Sequence, residues 1–204
     1  MTPQRAAGFE PPLSADDALL VQRAVGHVLE SQDRGALPQL PWHSGLSAQE
    51  RQAIHAEWPL SSAQWGDFDG RRSLIAPVTD ESNLMLPLRD LLLAHRSSID
   101  PGLTVLANAF ASACFGSHHL WQDLGATGRD EVSRLLAVGF PALHDSNLRN
   151  LRWKRHLFLV LGARLGKEDL HPPKCDGCDH YDACFAPSGP TPINPWPLIT
   201  AAHS

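Results

Sequence analysis

Residues 147–166 read NLRNLRWKRHLFLVLGARLG and contain the longest helical pattern in the chain. Apolar side chains recur there near helical spacing, and a glycine, Gly166, follows the last of them. Asp145 or Ser146 precedes the pattern and is of a residue type that caps helix N-termini. The stretch therefore predicts one long helix that begins after residue 145 or 146 and ends at Gly166.

Shorter helical patterns lie on the N-terminal side of this stretch. Ser14 and Asp100 each precede an apolar run and are suited to cap it, and Ser47 with Glu50 forms a capping-box pattern. Further helical patterns cover residues 84–95 and 127–138. No segment alternates as a half-buried strand does, and no repeat is found. The sequence predicts an all-α helical bundle.

The 204 residues are enough for one domain, and 43% of them are hydrophobic, which is enough for a core. Residues 1–13 hold three prolines and little periodicity, which predicts a flexible tail. Residues 187–204 are rich in proline and predict a second flexible tail. The expected domain is therefore a single helical unit over residues 14–186.

Charge and composition exclude several classes of function. The net charge of -5 gives no general attraction to nucleic acid or to an anionic membrane. No run reaches the roughly 20 apolar residues that a membrane span needs, and the N-terminus has no apolar core of a signal peptide. We therefore expect a cytoplasmic protein. Because no nucleophile motif or phosphate-binding glycine loop occurs, we do not expect an enzyme.

Three of the four cysteines lie within ten residues, in KCDGCDHYDACF at 174–185. Cys175, Cys178 and Cys184 have the spacing C-x2-C-x5-C, and Gly177 suits the turn that would bring the first two sulfurs together. In a reducing compartment this density favours metal binding over disulfides. The pattern predicts a short cysteine-rich metal knuckle at 170–186, behind the last helix.

Two kinds of metal fit three thiolates. An iron–sulfur cluster would be a three-iron cluster, or a four-metal cluster with one corner left for another ligand. Zinc would need a fourth ligand, which His171 or His180 could supply. A thiol redox pair is a third alternative, although the βαβ pattern of thioredoxin-like proteins is absent. The fourth cysteine, Cys114, is typical of a small buried apolar residue.

Three stretches together resemble the NifQ family, the molybdenum accessory proteins of nitrogen fixation. They are HLWQDLG at 119–125, FPALHDSNLRNLRWKR at 140–155, and the knuckle with CF at 184–185. The resemblance covers roughly residues 84–186. It implies a small protein that carries a molybdenum-containing iron–sulfur cluster. It also implies that the partners are molybdate and the scaffold proteins on which the nitrogenase iron–molybdenum cofactor is assembled.

The resemblance assigns metal ligands residue by residue. Cys175, Cys178 and Cys184 match the last three cysteines of the family motif C-x4-C-x2-C-x5-C, whereas the first falls at Leu170. Because a leucine side chain cannot ligate a metal, His171 beside it is the candidate substitute, and the alternatives are a ligand from outside the chain or Cys114. Where the family chemistry is lost, the alternative is a zinc-stabilised protein-interaction module that no longer transfers molybdenum.

A basic run on the longest helical pattern is a candidate for oxyanion handling, and it contains Arg149, Arg152, Lys154 and Arg155. The i, i+3 spacing of the three arginines predicts that they share one helix face. Guanidinium groups suit compact oxyanions such as molybdate. The resemblance favours Arg152 and Lys154 within this run, and it matches His119 to a family histidine. The competing interpretations are a solvated helix face or a docking surface for the run, and a structural helix cap for His119.

Overall fold

A computed structural model describes residues 13–39, 48–57, 84–168 and 170–173. Within these ranges the secondary structure is entirely helical, which confirms the predicted all-α class for the part of the chain that is described. The helices are α1 (Ala15–Asp33), α2 (Ala48–Glu57), α3 (Met85–Ala94), α4 (Pro101–Cys114), α5 (Leu120–Asp123), α6 (Arg129–Gly139), α7 (Pro141–Asp145) and α8 (Trp153–Leu165).

Helix α4 is the centre of the bundle. Every residue from Gly102 to Cys114 is buried, and α1, α2, α3 and α5 all pack against this helix. Asp100 caps it as predicted, because its Oδ1 accepts a hydrogen bond of 2.6 Å from the backbone N–H of Gly102. A helix that is apolar on all sides is stable only when other elements surround it. The composition of this one helix therefore explains the bundle arrangement.

Helix α1 begins at the predicted cap. Ser14 Oγ accepts a hydrogen bond of 3.2 Å from the backbone N–H of Asp17. The polar face of α1 is joined to α6 by two ion pairs, Asp17 with Arg134 at 2.7 Å and Arg23 with Glu131 at 2.5 Å. The hydrogen bond from Ser14, together with Arg134, lowers the pKa of Asp17 below its usual value. These contacts fix the register between the two helices.

The prediction of one long helix over 147–166 is wrong at its start. Residues 141–145 form the separate helix α7, and α8 begins only at Trp153. Between them Asn150 has φ of 50°, a left-handed conformation that interrupts helical hydrogen bonding. The predicted end is confirmed, since Gly166 has φ of 65° and closes α8 in the left-handed region.

Other predictions fall at the edges of the described residues. Residues 1–12 and 187–204 of the predicted tails lie outside them, and Leu13 packs against the core. The three cysteines and the side chains of the Ser47–Glu50 capping box also lie outside, so the tail and knuckle predictions stay predictions. In the described ranges, no helix combines the length and apolar character required to cross a bilayer.

Candidate functional site

The segment that leads into the cysteines is fixed against helix α8. The backbone N–H of Lys167 donates to Gly162 O at 2.8 Å, so the chain reverses directly after Gly166. A Cβ atom on Gly162 would lie 2.7 Å from Lys167 O and 2.9 Å from Leu170 Cβ. Glycine is therefore required at 162 for this close approach. Lys167 and Leu170 therefore lie against the last turns of α8, and Leu170 precedes the first cysteine of the knuckle by five residues in the sequence.

Leu170 and His171, the position of the missing thiol and its candidate substitute, are both partly buried. Leu170 packs against the hydrophobic core, so this position has a structural role in place of a thiol. His171 is half-buried, and its Nε2 atom is shielded from solvent. Pro172, the next residue, is buried. A shielded imidazole four residues before Cys175 in the sequence is compatible with the predicted fourth ligand, and that role stays a prediction.

The three cysteines predicted to bind metal, Cys175, Cys178 and Cys184, lie outside the described residues, whereas His171 lies within them. Among residues 13–39, 48–57, 84–168 and 170–173, no three His, Cys, Asp or Glu side chains form a group that could hold a metal ion. Cys114 is fully buried in α4, in agreement with its interpretation as an apolar core residue. The knuckle sequence at 174–185 therefore remains the principal candidate for metal binding.

Lys154 forms a buried polar network with the loop before helix α5. Its ammonium group donates to Asp123 Oδ2 at 2.8 Å, His118 O at 2.7 Å and Gly116 O at 3.1 Å. An ammonium group has three N–H donors, and all three are engaged here. The side chains of Lys154 and Asp123 are only 13% and 4% exposed. This geometry gives Lys154 a structural role, and its part in oxyanion handling stays a prediction.

Asp123 links the same network to an exposed histidine. Its second oxygen, Oδ1, lies 3.2 Å from His118 Nδ1, and the His118 side chain is 67% exposed. Gly116 permits this arrangement, because a Cβ atom there would overlap the Asp123 carboxylate. Sequence reasoning missed His118 and Gly116, since only the fold brings them to Lys154.

His119 lies at the start of the short helix α5. It is the N-cap residue, and its backbone N–H donates to Gln122 Oε1 at 3.1 Å. This is the capping alternative that the sequence left open, and it accounts for His119 as part of the fold. Its part in oxyanion handling stays a prediction.

The expected shared face of Arg149, Arg152 and Arg155 does not exist. That expectation required a helix through all three positions, whereas α8 begins after Arg152. Arg152 is the exposed N-cap residue, and Arg155 is half-buried with its Nε and Nη1 atoms shielded from solvent. The basic run therefore divides into residues with different surroundings. Arg152 alone among the predicted oxyanion residues combines exposure with a helix N-terminus.

The buried histidine His156 links the start of α8 to the end of α7. His156 Nε2 lies 3.0 Å from Ser146 Oγ and 3.1 Å from Leu143 O, and Trp153 packs against the His156 ring edge at 5.8 Å. Burial lowers the pKa of His156 to about 4, so the ring is neutral at physiological pH. Sequence reasoning missed this contact, which ties α7 to α8.

Comparisons with known proteins agree with the resemblance seen in the sequence. The family model described as NifQ matches residues 24–186. Protein NifQ of Azotobacter vinelandii is 33% identical over 162 residues, covering 74% of this chain and 82% of that protein. The NifQ proteins of Rhodobacter capsulatus and Klebsiella pneumoniae are each 30% identical. They cover 59% and 71% of this chain and 73% and 87% of their own lengths. No solved structure matches the chain.

Proposed function

The chain belongs to the NifQ family, and we propose that it is a molybdenum carrier for nitrogen fixation. It takes up molybdenum from molybdate and supplies it for assembly of the nitrogenase iron–molybdenum cofactor. In this role it is an accessory protein that binds and transfers a metal, not an enzyme that turns over a substrate. The observation that carries the proposal is the set of three thiols within ten residues directly after the anchored end of α8.

The donor set fits an iron–sulfur cluster. Thiolates are soft ligands, which suit iron–sulfur clusters and sulfur-bound molybdenum better than they suit hard cations. Cys175, Cys178 and Cys184 would hold the cluster, and His171 is the candidate fourth ligand. When bound, the cluster supplies the sulfide that keeps molybdenum in a sulfur-ligated form.

The described residues include an anchored segment that precedes the cysteines in the sequence. Gly162 lets Lys167 and Leu170 lie directly on α8, so this segment is in close contact with the bundle. Arg152 is exposed at the N-terminus of α8, where a positive side chain and the helix dipole both favour an anion. Arg152 is therefore our first candidate for contact with molybdate, ahead of His119 and Lys154.

The direct test is metal and sulfide analysis of the full chain purified without oxygen from cells supplied with molybdate. The proposal predicts iron with matching sulfide, molybdenum, and absorption in the visible range. Cys178→Ser should lose all three. Cys114→Ser is the matched control, because it changes a core thiol and should leave the metal content intact.

Two results would contradict the proposal. About one zinc per chain without sulfide would indicate the interaction module that keeps the family fold without its metal chemistry. Loss of metal in Cys114→Ser as well as in Cys178→Ser, with both variants folded by circular dichroism, would remove the assignment of the knuckle as the binding site.

A further inference from the structure

The loop between α7 and α8 presents an apolar side chain to solvent. Leu148 is 70% exposed, and among the large hydrophobic residues of the described part only Ile99 is more exposed. Arg152, at the other end of the loop, is also exposed. Single exposed leucines are common on protein surfaces, so exposure alone has no functional meaning. Two further features set residues 148–152, here called the α7–α8 loop, apart.

The first feature is that this loop is held rigidly. Asn147 Nδ2 donates to Leu151 O at 2.9 Å, and the Leu151 N–H donates back to Asn147 Oδ1 at 2.9 Å. Arg129 Nη2 reaches across from α6 and donates to Asn150 O, Asn150 Oδ1 and Leu151 O at 3.0, 2.6 and 2.8 Å. These bonds hold Asn150 at its left-handed φ of 50°. The exposed position of Leu148 is therefore fixed before any partner arrives.

The second feature is local charge. The chain has a net charge of -5, yet no acidic residue occurs between Asp145 and Glu168. The same stretch contains the basic residues Arg149, Arg152, Lys154, Arg155, Arg164 and Lys167. The buried network neutralises Lys154 with Asp123, but the exposed Arg152, in the same loop as Leu148, has no acidic neighbour in sequence. The α7–α8 loop is therefore a positive region on a negative chain.

We propose that the α7–α8 loop is the surface by which this chain docks on the protein that receives its metal. The recipient would present an acidic surface around an apolar depression. Leu148 enters the depression, and Arg152 pairs with the carboxylates around it. A fixed loop loses little conformational entropy on binding, which favours a defined contact over a nonspecific one. The identity of the recipient rests on the proposed carrier function, whereas the docking surface rests on the loop itself.

The test measures binding of the full chain to purified, molybdenum-free cofactor-assembly scaffold, immobilised on a sensor. Leu148→Asp should weaken binding at least about tenfold, since it removes the apolar contact and repels an acidic partner. Ile99→Asp is the matched control, because it places the same charge at an even more exposed apolar position. It should bind as the wild type does.

A charge reversal tests the electrostatic part. Arg152→Glu should slow association and reduce its dependence on ionic strength. Arg164→Glu is the control, because Arg164 is exposed at the far end of α8, roughly 18 Å along the helix from Arg152. This variant should leave both the association rate and its dependence on ionic strength unchanged. If Arg152→Glu lowers the molybdenum content and leaves binding unchanged, the residue handles the oxyanion and its docking role is refuted.

The remaining outcomes separate the two proposals. Wild-type affinity in Leu148→Asp, or a wild-type chain that does not bind the scaffold, would overturn the docking surface whatever the metal content. Scaffold binding that needs Leu148 in a chain that carries no molybdenum would support the docking surface and refute the carrier function.

Discussion

At the residue scale, Lys154 shows how the fold changes the meaning of a sequence motif. In the sequence it is one of several cations in a basic run. In the structure its ammonium group is surrounded by three oxygen atoms, and its carboxylate partner, Asp123, is buried. A buried carboxylate that loses its cation leaves an uncompensated charge, which is strongly destabilising.

Replacement of Lys154 by methionine is therefore predicted to lower the free energy of unfolding by roughly 3 kcal/mol. Urea denaturation of the wild type and of Lys154→Met measures this difference in the free energy of unfolding. Lys167→Met, at an exposed lysine just beyond α8, is the control and should change stability little. An unaltered midpoint in Lys154→Met together with loss of molybdenum would instead support the oxyanion role.

His156 predicts how stability depends on pH. Its pKa is about 4 in the folded chain, against 6.5 for an exposed histidine, so the unfolded chain binds the proton more readily. Above about pH 7.5 the ring is almost unprotonated in both states, and this group leaves the free energy of unfolding unchanged. Between pH 7.5 and pH 5 the group should lower that free energy by about 2 kcal/mol.

The measurement is urea denaturation across this pH range for the wild type and His156→Gln. Glutamine can still donate a hydrogen bond to Leu143 O but does not titrate in this range. The variant should lose about 2 kcal/mol less than the wild type between pH 7.5 and pH 5. Parallel pH profiles would show that His156 is not buried as the structure has it.

At the element scale, a helix terminus with a local capping signal was predictable from the sequence, whereas a terminus set by tertiary contacts was not. The sequence predicts helix caps at Ser14, Asp100 and Gly166, and each of these residues caps a helix in the structure. The start of α8 was missed because it depends on Asn150, which Arg129 holds from 21 residues away.

The candidate site also contains some features that the sequence predicts and others that only the fold reveals. The three thiols are visible in the sequence because ligand type and spacing are local properties. The network around Lys154 is not, because Asp123 lies 31 residues away and only the packing of α8 on the loop before α5 brings the two together. The exposure of Leu148 likewise depends on the turn that separates α7 from α8.

The contact between α8 and the segment after it gives a third prediction. Gly162→Ala would place a methyl group 2.7 Å from Lys167 O, which is a backbone atom and cannot move aside cheaply. The change should lower the free energy of unfolding by about 1 to 3 kcal/mol and displace Lys167 and Leu170. If the anchored segment positions the knuckle, the metal content should fall as well.

Gly26→Ala is the matched control for this variant. Gly26 lies within α1, and a Cβ atom there meets nothing within 4 Å. Alanine is the better helix former, so this change should stabilise the chain by about 0.5 to 1 kcal/mol. Equal effects of the two substitutions would contradict the close approach at Gly162.

At the scale of the whole molecule, the described helices form a stable support around α4, and the basic stretch from 146 to 167 leads directly into the segment that precedes the cysteines. The docking loop and the segment that precedes the knuckle begin at opposite ends of α8, roughly 18 Å apart along the helix. A recipient that docks on the loop must therefore extend along α8 to reach a metal held by the knuckle.

The central claim is that this chain carries molybdenum to a recipient, and a transfer experiment tests it most directly. The chain is loaded without oxygen, freed of unbound molybdate by gel filtration, and mixed with molybdenum-free cofactor-assembly scaffold. The two proteins are then separated, and molybdenum is measured in each. We predict that molybdenum moves from the wild-type chain to the scaffold, and that the Cys178→Ser variant carries no molybdenum to transfer. Molybdenum that stays with the wild-type chain, or that never binds to it, would contradict the account.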